Sequence, residues 1–130
     1  MTSRVTLIDT SAFIEFSRKA DTDVARAVDA ALAEGRAALC HVVLAELLTG
    51  CRARSEYRET ERQLTALVWL PLTDECWERA AALGFNLRRA GLAVPLADRL
   101  VAVTARLHEA DLLHCDAHFD LIGDTPDTVG

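Results

Sequence analysis

Lysine is nearly absent from this 130-residue sequence, and the charge that the chain carries is mainly negative. Lys19 is the one lysine among 14 basic residues, which face 20 acidic residues and leave a formal net charge of −6. Proteins that hold a nucleic acid by bulk electrostatic attraction are usually basic, so this balance argues against that class. It leaves open a protein that handles phosphate groups through a bound metal ion.

Long apolar segments, internal repeats and low-complexity tracts are also missing. No apolar run approaches the roughly 18 residues that cross a membrane, and the amino-terminal stretch MTSRVTLID lacks the apolar centre of a secretory signal. We therefore expect a cytoplasmic protein with one domain over residues 1–130. The cysteines show no paired zinc or redox spacing, which predicts four small buried side chains. They are Cys40, Cys51, Cys76 and Cys115.

Strand-like and helix-like segments alternate along the chain. Strands are predicted over residues 4–9, 36–41, 68–72 and 112–115. Helices are predicted after a cap at Thr10 or Ser11, over 21–34, 42–53 and 56–67, from a cap at Thr73 to Gly91, and over 97–109. The helix after Thr73 is expected to carry Trp77, Ala80, Ala81, Gly84 and Leu87 on one face. This alternation is typical of an α/β fold with a mainly parallel sheet.

Two aspartates come directly after predicted strands. Asp9 lies between the apolar strand VTLI and the apolar helix AFIEF, where an acidic side chain is costly unless something compensates it. Asp116 follows the short strand LLHC, where it also fits a simple turn. Functional sites of parallel sheets gather at the carboxyl ends of strands. Both aspartates are therefore candidates for a site at that edge of the sheet.

Three further acids lie on or near the helices. Glu46 has mainly apolar neighbours in HVVLAELLTG, although a surface glutamate paired with an arginine fits as well. Asp98 opens an apolar helix stripe, where it also suits a helix cap. Asp120, in a loop or short turn, is the weakest candidate. Clustered carboxylates repel one another unless a cation neutralises them, and an all-oxygen cluster suits Mg²⁺ or Mn²⁺. The pattern thus predicts that a divalent ion compensates Asp9.

Four stretches of the chain, LIDTSAFIEF, LAELLTG, PLADRLVAVTA and LLHCDAHFDLI, resemble the acidic motifs of the PIN-domain ribonucleases. Within that family they are most similar to VapC-type toxins of toxin–antitoxin modules. The resemblance covers nearly the whole chain and implies a three-layer α/β/α sandwich, dependence on Mg²⁺ with Mn²⁺ able to substitute, and endonucleolytic cleavage of RNA to 5′-phosphate and 3′-hydroxyl ends. It also implies a homodimer and inhibition by a cognate VapB-like antitoxin.

Carried over motif by motif, the resemblance implies roles for six residues. The catalytic acids would be Asp9, Glu46, Asp98 and Asp116. The metal ligands would be Asp9, Asp98 and Asp116. Ser11 matches a small hydroxyl residue that positions the first acid, and Asp120 matches a supporting position that is acidic in only some members.

Several alternatives compete with this interpretation. Haloacid-dehalogenase phosphatases need an aspartate where Ser11 stands, and receiver domains need a late lysine, whereas the only lysine is Lys19. The stretch HCDAH could form a zinc site, but His114 and Cys115 would point to opposite faces of a strand, and His118 fits a loop near the site or a position beside Phe119. A PIN-like module that binds RNA or a partner without cutting it also remains open.

A row of arginines could contact RNA phosphates. Its members are Arg52, Arg54, Arg58 and Arg62, at near-helical spacing. The same row could instead be a solvated helix face paired with Glu56, Glu59 and Glu61. The helix over 56–67 and the first helices also offer apolar surface for an amphipathic antitoxin segment.

Overall fold

A four-stranded parallel sheet forms the centre of the computed structural model, which describes residues 4–130. The strand order is β3-β2-β1-β4. The strands are β1 (Thr6–Ile8), β2 (Ala37–Leu39), β3 (Val68–Trp69) and β4 (Asp111–Leu113). Leu7 lies opposite Ala38 on one side and Leu112 on the other. Residues 1–3 of the predicted single domain lie outside the described residues.

Seven helices surround this sheet within residues 4–130. They are α1 (Thr10–Ser17), α2 (Asp23–Ala33), α3 (His41–Thr49), α4 (Arg54–Leu64), α5 (Asp74–Arg89), α6 (Leu96–Leu107) and α7 (Ala117–Ile122). None of these helices combines the length and the apolar character that a bilayer crossing requires. The expected α/β fold with a parallel sheet is confirmed, although each strand is shorter than predicted.

The strand order places the helices in layers on both faces of the sheet. The chain crosses from β1 to β2 to β3 in one direction and then returns past β1 to β4. Because crossovers between parallel strands are almost always right-handed, α1–α4 cover one face and α5–α6 the other. Most helix contacts agree, since α1 packs on α2 and α3, and α6 packs on α5 and α7, although α3 and α6 also meet. The carboxyl ends of β1 and β4 lie side by side where the order reverses, which is the usual place for a site.

The buried face of α5 differs from the prediction. Trp77 is 50% exposed, whereas Cys76 and Leu83 are fully buried with Ala80 and Leu87. The prediction followed the large indole and the small residues next to it. Packing against α6 instead buries the adjacent face of α5, where smaller side chains fit between the two helices.

Two other local predictions are wrong. The N-cap of α1 is Asp9 rather than Thr10 or Ser11, because the strand ends one residue earlier than expected. Cys40 and Cys76 are buried as predicted, but Cys51 is partly exposed and Cys115 is exposed. The two exceptions lie in the connections that follow α3 and β4, where the chain is at the surface.

Candidate metal centre

Asp9 is a buried carboxylate that caps a helix. Its side chain is attached at the end of β1, is 3% exposed as a residue, and accepts hydrogen bonds from Ser11 at Oδ2: 3.0 Å from the amide and 2.6 Å from the hydroxyl Oγ. Both bonds and the positive end of α1 stabilise negative charge there. The amide of Asp9 also donates to the carbonyl of Leu113 at 3.0 Å, which fixes the end of β1 against β4. Part of the compensation for Asp9 is therefore local.

Ser11 joins the first acid to the segment that carries the last one. Its hydroxyl donates to Asp9 and accepts from the amide of Cys115 at 3.1 Å. The thiol of Cys115 in turn donates to the carbonyl of Ser11, with the sulfur 3.2 Å from the oxygen. The Ser11 hydroxyl thus adds a side-chain link between the ends of β1 and β4 to the backbone bonds that already pair them.

Glu46 lies on α3 and faces the other acids. Thr10 donates a hydrogen bond to its Oε1 at 2.8 Å. Partial desolvation raises the pKa of Glu46, the hydrogen bond from Thr10 lowers it, and the charges of Asp9, Asp98 and Asp116 raise it further. The same three carboxylates that the sequence singled out therefore act on Glu46 through space. With Glu46 they are four acids from four separate elements, and the three carboxylates lie close enough for their charges to affect Glu46.

Asp98 lies in the first turn of α6, half-buried, with its Oδ2 2.8 Å from Nδ1 of His118. Burial raises the pKa of Asp98, and the nearby charge of Asp116 raises it further. The hydrogen bond with His118 acts in the opposite direction, and the charge of Asp9 adds a smaller increase. A cation that enters the cluster would therefore stabilise the ionised form of Asp98.

His118 contacts both Asp98 and Asp116. Asp116 caps α7, accepts from the amide of His118 at 2.9 Å, and lies 3.3 Å from its Nδ1 through Oδ1. The predicted packing beside Phe119 is made instead by His114, with ring centroids 4.7 Å apart. The sequence contained a signal for His118. It lies two residues after Asp116, and the cap hydrogen bond of α7 joins the amide of His118 to the Asp116 side chain.

The donor atoms of Asp98, Asp116 and His118 all lie within 4.8 Å of one another. This spacing fits a divalent ion, because two carboxylates and an imidazole are suitable ligands for Mn²⁺ and other first-row metals, and the carboxylates alone suit Mg²⁺. Of the predicted ligands, Asp98 and Asp116 belong to this trio. Asp9 is linked to it through its effect on the pKa of Asp98.

The other predicted candidates lie outside the trio. Asp120 is exposed on α7, and within residues 4–130 it forms no hydrogen bond or ion pair with the acids. Cys115 turns its sulfur to Ser11, and His114 accepts at Nδ1 from the amide of Asp116 at 3.3 Å. The zinc arrangement HCDAH is therefore not assembled among the described residues.

Comparisons with known proteins agree with this architecture. The PIN domain family model matches residues 6–124. VapC ribonuclease Mb1587 from Mycobacterium bovis and Ribonuclease VapC11 from Mycobacterium tuberculosis are each 37% identical to this chain over 120 residues, which cover 89% of it and 90% of the relative.

Solved structures share the fold at lower identity. VapBC2 from Rickettsia felis, bound to a DNA fragment from its promoter, matches with a TM-score of 0.74 and 19% identity over 94% of this chain and 96% of that one. VapBC-5 from Mycobacterium tuberculosis matches with a TM-score of 0.68 and 22% identity over 96% and 95%. Together with the four acidic motifs on one sheet edge, these matches establish that the chain belongs to the PIN-domain family, in its VapC branch.

Proposed function

We propose that this chain, as a single PIN domain, is a metal-dependent endoribonuclease and the toxin of a VapBC-type toxin–antitoxin module. The observation that carries the proposal is the grouping of four acids at the carboxyl ends of the parallel pair β1 and β4. Asp9 follows β1, Thr10 beside it binds Glu46, and His118 joins Asp98 to Asp116. The ribonuclease names of the 37%-identical relatives support the same activity. RNA and an antitoxin as partners favour a cytoplasmic location.

Asp9, Asp98 and Asp116 would hold the cation, which we propose to be Mg²⁺ with Mn²⁺ able to substitute. When bound, such an ion lowers the pKa of a water and stabilises charge on the scissile phosphate. The residues of the chain do the rest. Ser11 and the start of α1 keep Asp9 in place, and Asp116 and His118 keep Asp98 oriented. Glu46, whose pKa is raised, is suited to accept a proton from the attacking water.

The antitoxin surface is proposed to be an apolar groove of about 290 Å³ between α1, α3 and α4. Its apolar lining consists of Phe13, Phe16, Leu32, Leu47, Leu64 and Leu67, so α2 contributes as well. An amphipathic helix that inserts two or three apolar side chains would fit such a groove. Phe16→Glu should therefore abolish inhibition by the cognate antitoxin and leave cleavage by the free protein unchanged.

A homodimer is also proposed. Trp77, half exposed on α5, is the kind of large apolar side chain that a second copy would cover. Sedimentation of the antitoxin-free protein tests it, since Trp77→Ser should shift a dimer toward monomer if α5 forms the contact.

Cleavage of RNA by the purified, antitoxin-free protein tests the enzyme. We expect cutting with Mg²⁺ or Mn²⁺, none after chelation, and none from Asp98→Asn with either ion. Cutting that survives thorough chelation would contradict the metal mechanism. RNA that is bound but intact under all conditions would instead favour the non-catalytic binding module.

A further inference from the structure

A cavity of about 570 Å³ lies next to the metal centre, between α5 and the segment that leads into α6. Its lining includes Gly84, Arg88, Pro95, Arg99 and His118. His118 therefore belongs both to the wall of this cavity and to the trio that surrounds the candidate metal position.

Arg99 carries a charge that no acid neutralises. Its Nε donates to the carbonyl of Val94 at 3.0 Å, and its Nη1 donates to that of Ala80 at 2.6 Å. Within residues 4–130, neither Arg99 nor Arg88 forms an ion pair with a carboxylate. Arg79 and Arg106, in contrast, are both paired with Asp127. In a chain of net charge −6, Arg88 and Arg99 therefore give the lining of this cavity positive charge that no carboxylate offsets within residues 4–130.

Gly84 makes room for the guanidinium of Arg99. A Cβ at residue 84 would lie 2.7 Å from Cζ of Arg99, so any side chain there displaces the arginine. Glycine inside a helix costs about 1 kcal/mol relative to alanine, and Gly84 lies in the middle of α5. The position of Arg99 therefore depends on Gly84, a residue that lowers the stability of α5.

We propose that this cavity, hereafter the arginine cavity, is a subsite for a phosphate of the RNA strand next to the scissile one, contacted by Arg88 and Arg99. Arginine suits the role because its planar fork binds two phosphate oxygens at once. The proposal rests on the proposed ribonuclease function. It also explains how a strongly acidic protein holds a polyanion without a basic surface overall.

The row of arginines on α4 is the competing surface. Arg52, Arg54 and Arg58 line another cavity with Tyr57, but that lining includes none of the four clustered acids and not His118. Arg62 is already paired with Glu59 at 2.5 Å. Arg54 and Arg58 therefore provide matched controls: they carry the same charge as Arg88 and Arg99 but lie apart from the arginine cavity.

The test compares Gly84→Ala, Arg99→Gln, Arg99→Lys and Arg88→Gln with Arg54→Gln and Arg58→Gln. Binding of a short single-stranded RNA is measured in an Asp98→Asn background, so that no cutting interferes, and KM and kcat are measured in the otherwise unchanged enzyme. We expect each arginine-cavity variant to raise Kd and KM roughly fivefold or more, with kcat changed less, and each lost phosphate contact to reduce the salt slope by about 0.7, the value for single strands. The two control variants should stay within about twofold of the parent.

Gly84→Ala separates an RNA contact from a structural role of Arg99. The new methyl group displaces the guanidinium from the carbonyls of Val94 and Ala80 but improves the helix propensity of α5. Gly84→Ala should therefore melt no lower than Arg99→Gln, which loses the same hydrogen bonds without that gain, while RNA binding weakens in both. Normal RNA binding by Gly84→Ala and Arg99→Gln would overturn the proposal. It is equally overturned if only the Arg54 and Arg58 variants lose binding, or if the weaker binding coincides with loss of a dimer in sedimentation. If the parent binds RNA through Arg88 and Arg99 but cuts nothing with Mn²⁺ or Mg²⁺, the subsite stands and the enzyme proposal fails.

Discussion

Asp9 combines a helix cap with a place in a carboxylate cluster, and two substitutions separate these roles. Asp9→Asn keeps an oxygen that can accept from the amide and hydroxyl of Ser11, and asparagine caps helices about as well as aspartate. It removes one negative charge that raises the pKa of Glu46 and of Asp98. Asp9→Ala removes the charge and the cap together.

The expected stabilities of the metal-free proteins differ by about 1 kcal/mol. Loss of the cap costs about 0.5–2 kcal/mol, whereas relief of repulsion leaves Asp9→Asn level with the parent or more stable by up to about 1 kcal/mol. With an unfolding entropy of about 2.1 cal/mol/K per residue, 1 kcal/mol corresponds to about 4 °C in a chain of 130 residues. In EDTA, Asp9→Ala should therefore melt several degrees below Asp9→Asn.

Added metal should reverse the order of the melting temperatures of the parent and Asp9→Asn. An ion present at a hundredfold excess over its Kd stabilises the folded protein by about 2.7 kcal/mol, or about 10 °C here. Asp9→Asn should lose most of that gain and lose cleavage by orders of magnitude, since a neutral oxygen replaces an anionic ligand. Melting curves in EDTA and in Mg²⁺, together with an RNA cleavage assay, provide both readouts. An Asp9→Asn protein that is destabilised in EDTA but still cuts RNA would refute the assignment of Asp9 to the metal centre.

Three further outcomes follow from the contacts of the cluster and of α5. Burial and neighbouring charge raise the pKa values of Glu46 and Asp98 above their ordinary 4.5 and 3.8. In the pH window between the ordinary and the raised pKa values, the folded protein therefore binds more protons than the unfolded chain. Urea unfolding in EDTA should thus show stability falling as the pH rises through that window, with a shallower fall in Glu46→Gln; a rise instead would contradict the repulsion. At a protein concentration where sedimentation shows a monomer, Leu83→Ala should cost about 2–5 kcal/mol and Trp77→Ala less than about 1 kcal/mol in urea titrations, and the opposite order would restore the predicted face of α5. His118→Ala should weaken Mn²⁺ binding by at least about tenfold in calorimetry, and unchanged affinity would leave His118 outside the metal centre.

Much of the candidate site was predictable because its signals are local. Asp9 and Asp116 come directly after strands, and a parallel sheet brings the ends of such strands to one edge. Glu46 and Asp98 interrupt apolar helix patterns, which indicated that their carboxylates face something other than bulk water. The family motifs then placed all four acids in one arrangement.

What the sequence did not reveal depends on contacts between distant elements. The apolar pattern of α5 permits two neighbouring phases, and only docking against α6 selects the one with Leu83 inside and Trp77 outside. His118 reaches Asp98 across 20 residues of sequence, and no periodicity encodes that contact. The fit of Arg99 over Gly84 is likewise a property of two packed helices.

The pairing of β1 with β4 also determines when this chain becomes active during synthesis. Asp9 is made at the start, but its amide bonds to Leu113 and its supporting hydroxyl bonds to Cys115, more than 100 residues later. A ribosome-bound chain that has not yet released β4 and Asp116 has the first acids without the last, and the central strand β1 lacks one neighbour. The proposed cutting site therefore forms late, after nearly the whole domain has left the ribosome, so a partly made chain holds only part of the acid set.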